Sequence, residues 1–165
     1  MLITVTPADV EPVTLEEAKH HLRVDHDADD ALIQSLITAA RETVERFTGR
    51  ALAAASYRWA SEGYEPYVLP LWPASVSSVS YLSGSERVDA ADYTFDADRA
   101  LLSVRHGAAG VNAEFDTEPA HVPEALKAAI KLHVEAQYDA GPEDKPRLVE
   151  AANALAWPYR LNLGV

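Results

Sequence analysis

The chain has 165 residues, 48% of them hydrophobic, which is enough to bury a core. No run reaches the ~18 uncharged apolar residues of a membrane span, and Met1-Leu2-Ile3-Thr4-Val5 lacks the basic start and apolar stretch of a secretory signal. Its formal net charge is −12, from 26 acidic against 14 basic residues, and it contains no cysteine. The charge argues against tight, sequence-independent DNA binding by the isolated subunit, and the lack of cysteine excludes disulfides, thiolate metal sites and a cysteine nucleophile.

Residues 1–13 read as an extended arm punctuated by Pro7 and Pro12. Thr14-Leu15-Glu16-Glu17 is a capping box, and Leu15, Ala18 and Leu22 continue it as a short helix to about Arg23. Asp25-His26-Asp27-Ala28-Asp29-Asp30 is a polar break in which Asp27 or Asp29 is expected to cap the next helix. That helix carries an apolar stripe of Leu32, Ile33, Leu36, Ile37, Ala40, Val44 and Phe47. Arg41 and Glu45 are expected as an i, i+4 pair on the opposite side, with Gly49 as the C-cap.

From about Ala54 to Phe115 the period shortens. Tyr57 and Trp59, Tyr67-Val68-Leu69, Val76–Tyr81, Tyr93-Thr94-Phe95, Leu101–Val104 and Val111–Phe115 are β-type runs separated by Pro, Gly, Ser and Asp. They predict a small antiparallel sheet of five or six strands, with Ser83-Gly84-Ser85 as a turn. Helix returns at Pro123, with Leu126, Ala129, Ile130, His133 and Val134 on its buried face, and stops at Ala140-Gly141-Pro142. Pro146 opens a last helix that carries Leu148, Val149, Ala152 and Leu155 up to Trp157-Pro158. Helices at both ends of a strand block make the fold class α+β.

The chemistry-bearing patterns are weak. Asp25, Asp27 and Asp29 occupy the first three ligand positions of a calcium loop, but Asp30 stands where glycine makes the turn and Leu36 where a bidentate glutamate belongs. Capping is the better account of these acids. His20, His21 and His26 lie near the same carboxylates, yet H-E-x-x-H is absent and no second ligand cluster supports a metal. His133 reads as a core histidine. The serines of residues 75–85 include no G-x-S-x-G elbow, and neither phosphate-cradling glycine loop is present. No catalytic residue, metal or cofactor is expected.

Two segments point to partners instead. Trp157-Pro158-Tyr159-Arg160 combines aromatic residues with arginine, types enriched at interface hot spots. This tail either reaches onto a neighbour or closes the chain's own core. Tyr64, Tyr67 and Trp72, among Pro66, Pro70 and Pro73, form either an edge that contacts another subunit or an ordinary aromatic hairpin.

Pro12-Val13-Thr14-Leu15-Glu16-Glu17-Ala18-Lys19 and His21-Leu22-Arg23-Val24-Asp25 resemble the opening of the phage head–tail connector (adaptor) family. The likeness continues through Asp29-Asp30-Ala31-Leu32-Ile33, Ala39-Ala40-Arg41 and Phe47-Thr48-Gly49-Arg50-Ala51-Leu52. Leu69-Pro70 with Val76–Tyr81, then Val122–Ile130, and finally Leu155-Ala156-Trp157-Pro158-Tyr159-Arg160 follow in the family's order. Phe115–His121 departs from the turn that members often carry after the last strand.

The resemblance implies a predominantly α-helical α+β domain over 1–165, a helical bundle with a small antiparallel β element between its N- and C-terminal helices. Its parts are the arm and helices 1–52, the β element 53–116, the C-terminal helices 122–157 and the tail 158–165. It also implies a structural, non-enzymatic subunit. About a dozen copies form a closed ring in the virion neck of a tailed phage or gene transfer agent, after a period in the host cytoplasm. The implied partners are the portal protein, a stopper or tail-terminator protein, and genomic DNA passing through without tight binding. Trp157, Pro158, Tyr159 and Arg160 are the candidate portal contacts, and Tyr64, Tyr67 and Trp72 the candidate subunit contacts. The competing readings are another neck or tail-completion (stopper) protein and, from a different class, a small metal-dependent hydrolase built on His20, His26 and their neighbouring acids.

Overall fold

The computed structural model describes residues 1–61, 67–83, 85–104 and 110–161. Tyr64, Gly84 and residues 162–165 of the tail therefore lie outside the described residues. The described chain is α+β, with four α-helices, eight strands and a terminal 3-10 turn, and it divides into two units. Residues 10–52 and 120–161 make a helical unit, and residues 1–9 and 53–119 fall in a β unit.

In the helical unit, α1 (Leu15–Leu22) begins with the predicted capping box. The Glu17 N–H donates to Thr14 Oγ1 at 3.2 Å, and the Thr14 N–H donates to Glu17 Oε2 at 2.8 Å. α2 (Asp30–Thr48) ends at Gly49, whose φ of 71° is the left-handed conformation that glycine adopts without strain. α3 (Glu124–Tyr138) and α4 (Asp144–Ala156) complete the unit. Ile33, Ile37, Val44, Leu126, Ile130 and Val134 are fully buried, and Ala40, Ala129, Ala152 and Ala156 let the helix backbones approach closely. Each large aliphatic side chain buried there stabilises the unit by about 1.5–3 kcal/mol.

Three expectations for α2 and the loop before it are corrected. Leu32 is 50% exposed, because one residue is a rotation of about 100° and carries it off the buried stripe centred on Ile33 and Ile37. Arg41 and Glu45 are not on the solvent side; each is 3% exposed. Asp29 is the N-cap residue, but its side chain caps nothing, since its backbone (φ −105°, ψ 8°) is not the extended conformation that turns a cap side chain back onto the helix. Its Oδ2 instead accepts the Tyr138 hydroxyl at 2.6 Å. Asp27 and Asp30 both accept Lys19 Nζ at 2.7 Å.

The β unit is larger than a small insertion. Its strands are β1 (Leu2–Thr6), β2 (Ala55–Ala60), β3 (Tyr67–Val68), β4 (Ser75–Ser83), β5 (Glu86–Asp89), β6 (Tyr93–Asp96), β7 (Leu101–Val104) and β8 (Asn112–Thr117). They form two antiparallel sheets among the described residues, a five-stranded one in the order β1-β2-β8-β4-β5 and a three-stranded one in the order β3-β7-β6. The supposed arm is thus partly a strand: β1 pairs with β2 from Leu2↔Trp59 to Thr6↔Ser56, with an irregularity between Thr4 and Thr6. In β8 the side chains alternate, with Ala113, Phe115 and Thr117 buried and Asn112, Glu114 and Asp116 more accessible. Phe115 stacks on Tyr57 with ring centroids 5.4 Å apart. Leu69, Leu102, Val104 and Val111 of the β unit are buried as well.

Candidate functional site

An α-helix leaves its last carbonyls without intrahelical partners, and its C-terminus attracts cations. At the end of α2 the C-terminal tail meets both needs. Beyond α4, Trp157–Tyr159 form the 3-10 turn, closed by Arg160 N–H donating to Trp157 O at 3.2 Å. Arg160 Nε then donates to Phe47 O at 3.1 Å, and Leu161 N–H donates to Thr48 O at 2.8 Å. Arg50 Nε donates to Tyr159 O at 2.7 Å, and Tyr159 packs partly buried against the helical core. Residues 157–161 are folded onto their own unit.

Their surface is a cation lying over two neighbouring rings. The Arg160 guanidinium lies 5.1 Å from the Phe47 centroid and 4.9 Å from that of Trp157, whose rings are 6.2 Å apart. Such a contact is worth about 0.5–1 kcal/mol at an exposed site. Trp157 remains 62% exposed and Pro158 is exposed. Among the described residues no carboxylate pairs with Arg160. Chemically, this patch can take a carboxylate on the guanidinium and an apolar side chain against the indole.

The other candidate contacts divide. Tyr67 is 2% exposed and meets Trp59 edge-on, with centroids 6.5 Å apart, so it is a core residue of the β unit and not a contact surface. Trp72 is partly exposed, precedes a cis proline, and donates from Nε1 to Ala97 O at 2.6 Å.

The charged pair that sequence reasoning placed on the surface belongs to a buried polar network. Arg41 donates from Nη1 to Glu45 Oε2 at 2.6 Å and from Nε to Glu11 Oε2 at 2.8 Å. Glu45 Oε1 accepts the Leu52 N–H at 2.7 Å, and Glu11 Oε1 accepts the Thr38 hydroxyl at 2.8 Å. Burial pushes the Glu45 carboxyl above the ordinary value, against the opposing pull of Arg41 and the Leu52 N–H. The available signal was the four-residue step Ile33, Ile37, Arg41, Glu45, which winds slowly around the helix and stays beside the apolar stripe.

The histidines do not converge. His21 Nε2 lies 2.8 Å from Glu135 Oε2 beside a cleft of about 730 Å³ that Tyr138, Asp144 and Arg147 also line. His20 is exposed, and His26 Nε2 is 4.0 Å from Asp29 Oδ2. His133 is 6% exposed, and burial lowers its pKa. Among the described residues no group of three or more His, Asp or Glu is placed to hold a metal ion.

Residues 12–144 match the family described as phage gp6-like head-tail connector protein. No curated protein matches the chain. Solved structures with the same fold include a chain from the neck of an empty gene transfer agent particle computed with C6 symmetry (TM-score 0.69). Others come from the virion of a native gene transfer agent particle (TM-score 0.68) and from the neck of a native particle computed with C12 symmetry (TM-score 0.66). Each is 22% identical, over 97% of this chain and 95%, 95% and 94% of the respective chains.

Proposed function

The chain belongs to the phage gp6-like head-tail connector family, and from that membership we propose that it is a structural, non-enzymatic adaptor subunit of a ring in the neck of a tailed phage or gene transfer agent. In this reading the helical unit is the bundle that the resemblance implies, and strands β2–β8 are the β element between its N- and C-terminal helices, joined by β1. The ring extends the DNA channel under the portal and receives a stopper or tail-terminator protein on its far side. A neck computed with C12 symmetry from a protein of the same fold supports a ring of twelve. A net charge of −12 suits a channel through which DNA slides without tight contact.

The observation that carries the reading is the family match across residues 12–144. The patch of Phe47, Trp157, Pro158 and Arg160 is the portal-docking surface in this reading, and Tyr159 is its anchor. Trp72 is the remaining one of the described aromatic candidates for a subunit contact. Repeated around a ring, even weak identical contacts give firm attachment.

Particles assembled without this chain are expected to fill with DNA and fail to keep a stably joined tail. Normal tails with undiminished DNA delivery overturn the proposal. For the docking surface, Trp157→Ala with Arg160→Ala is expected to lower retention on immobilised portal protein at least tenfold. The circular dichroism of the folded chain is expected to stay the same, and unchanged retention removes the patch from the reading.

A further inference from the structure

The helical unit has two ends of opposite charge. Leu161 N–H on Thr48 O and Arg50 Nε on Tyr159 O bring the turn after α4 to the C-terminus of α2. The Tyr138 hydroxyl on Asp29, and His21 beside Glu135, bring the ends of α1 and α3 to the N-terminus of α2. The 19 residues of α2 hold these two ends about 28 Å apart.

Residues 46–52 and 151–161, at the first end, contain Arg46, Arg50 and Arg160 and no acid. Glu45, just before them, is buried against Arg41, and Glu42 lies a turn back. Residues 23–30 and 135–144, at the second end, contain eight acids. These outnumber Arg23 and the nearby Lys19, Lys145 and Arg147 two to one. In about 0.15 M salt a charge is screened beyond about 8 Å, so each end presents its own sign. The net charge of the whole chain decides neither.

The charge at the cationic end is available. Arg46 is exposed immediately before Phe47, and among the described residues no carboxylate pairs with it or with Arg160. We propose that the partner surface seated on Phe47, Trp157 and Arg160 is acidic, that Arg46 is a further contact to it, and that the opposite charges of the two ends fix which end docks. The inference rests on the docking reading above and adds what that patch meets. Presented end for end, the unit would set its acids against the same acidic surface, and like charges across a contact suppress the wrong pairing.

The test uses the full-length chain on immobilised portal protein. Raising the salt from about 0.1 M to about 1 M shortens screening from about 10 Å to about 3 Å and is expected to lower retention at least tenfold. Arg46→Gln is expected to lower retention about threefold, and Arg46→Glu further, with circular dichroism unchanged. Arg147, whose side chain is 81% exposed at the acidic end, supplies the control: Arg147→Glu is expected to leave retention within about twofold. Equal losses from Arg46→Glu and Arg147→Glu overturn the inference, because retention then follows net charge and not the end that carries it. Retention indifferent to salt and to both Arg46 variants, but lost in Trp157→Ala with Arg160→Ala, overturns the acidic partner and leaves the docking patch standing. Retention unchanged in that double variant as well removes the docking reading, and this inference with it.

Discussion

Two arginine–glutamate pairs of the same length are placed very differently. Arg41 and Glu45, in the helical unit, are 2.6 Å apart with each side chain 4% exposed. Arg58 and Glu114, on the five-stranded sheet, are also 2.6 Å apart, with side chains 52% and 44% exposed. Water solvates and screens the second pair, so little is gained by forming it and little is lost by breaking it. The first pair has left water, so each charge depends on the protein for its partners. Glu11 supplies one to Arg41 and the Leu52 N–H one to Glu45, and Glu11 in turn accepts the Thr38 hydroxyl. The buried network joins three stretches of chain, around Glu11, along α2 and at Leu52, and so makes local order conditional on all three.

Arg41→Met is the severest test of that contrast. It strands two carboxylates in the interior and is expected to cost about 3–5 kcal/mol in urea denaturation. A loss under about 1 kcal/mol would equate the two pairs and break the comparison. Replacing Glu11, Arg41 and Glu45 together by apolar residues is expected to restore only part of the loss. The Leu52 N–H would then be orphaned, at about 1–3 kcal/mol, whereas the Thr38 hydroxyl keeps the Gln34 carbonyl as an acceptor.

Thr14→Ala removes one bond of the capping box on α1 and is expected to cost about 1 kcal/mol in the same assay. This value, between the two extremes, calibrates a partly solvated hydrogen bond. Unchanged stability would mean that the box is an ornament of a helix held by packing alone.

Acidity gives a weaker handle on burial. The folded pKa of His133 lies below its ordinary value of 6.5, because burial disfavours the imidazolium. The unfolded chain therefore binds the proton first, and stability that is full above 6.5 declines as the pH falls through the lower folded pKa. Replacing it by His133→Gln is expected to flatten that part of the stability–pH curve. An unchanged slope would assign the decline to other groups. Arg58→Ala should have the smallest effect, at most about 1 kcal/mol, and less in high salt. A larger loss would show that the exposed pair does more than its surroundings permit.

Much of the helical unit was legible because its signals are local. The capping box at Thr14 and Glu17, the glycine after Thr48, the Ile33–Ile37–Val44 periodicity and Pro123 ahead of α3 all act within a few residues. The strands were legible as apolar runs and not as a sheet. β2 finds β1 and β8 across long stretches of chain, and nothing in Ala55–Ala60 specifies either partner. The tail residues were singled out by type, but sequence left open whether they stay at home. The structure shows Tyr159 turned inward and Trp157 outward within one 3-10 turn.

Composition by itself set the charge and the lack of thiols, and residue order set the α+β class and carried the family resemblance through nearly the whole length. Tertiary structure alone decided that Arg41 and Glu45 are interior, that Tyr67 is core, that residues 2–6 are an edge strand, and that Arg160 lies over the rings of Phe47 and Trp157. The reason is one of range. Caps and helical periods arise between neighbours in sequence, whereas burial of a charge or pairing of a strand depends on groups that only the folded chain brings near.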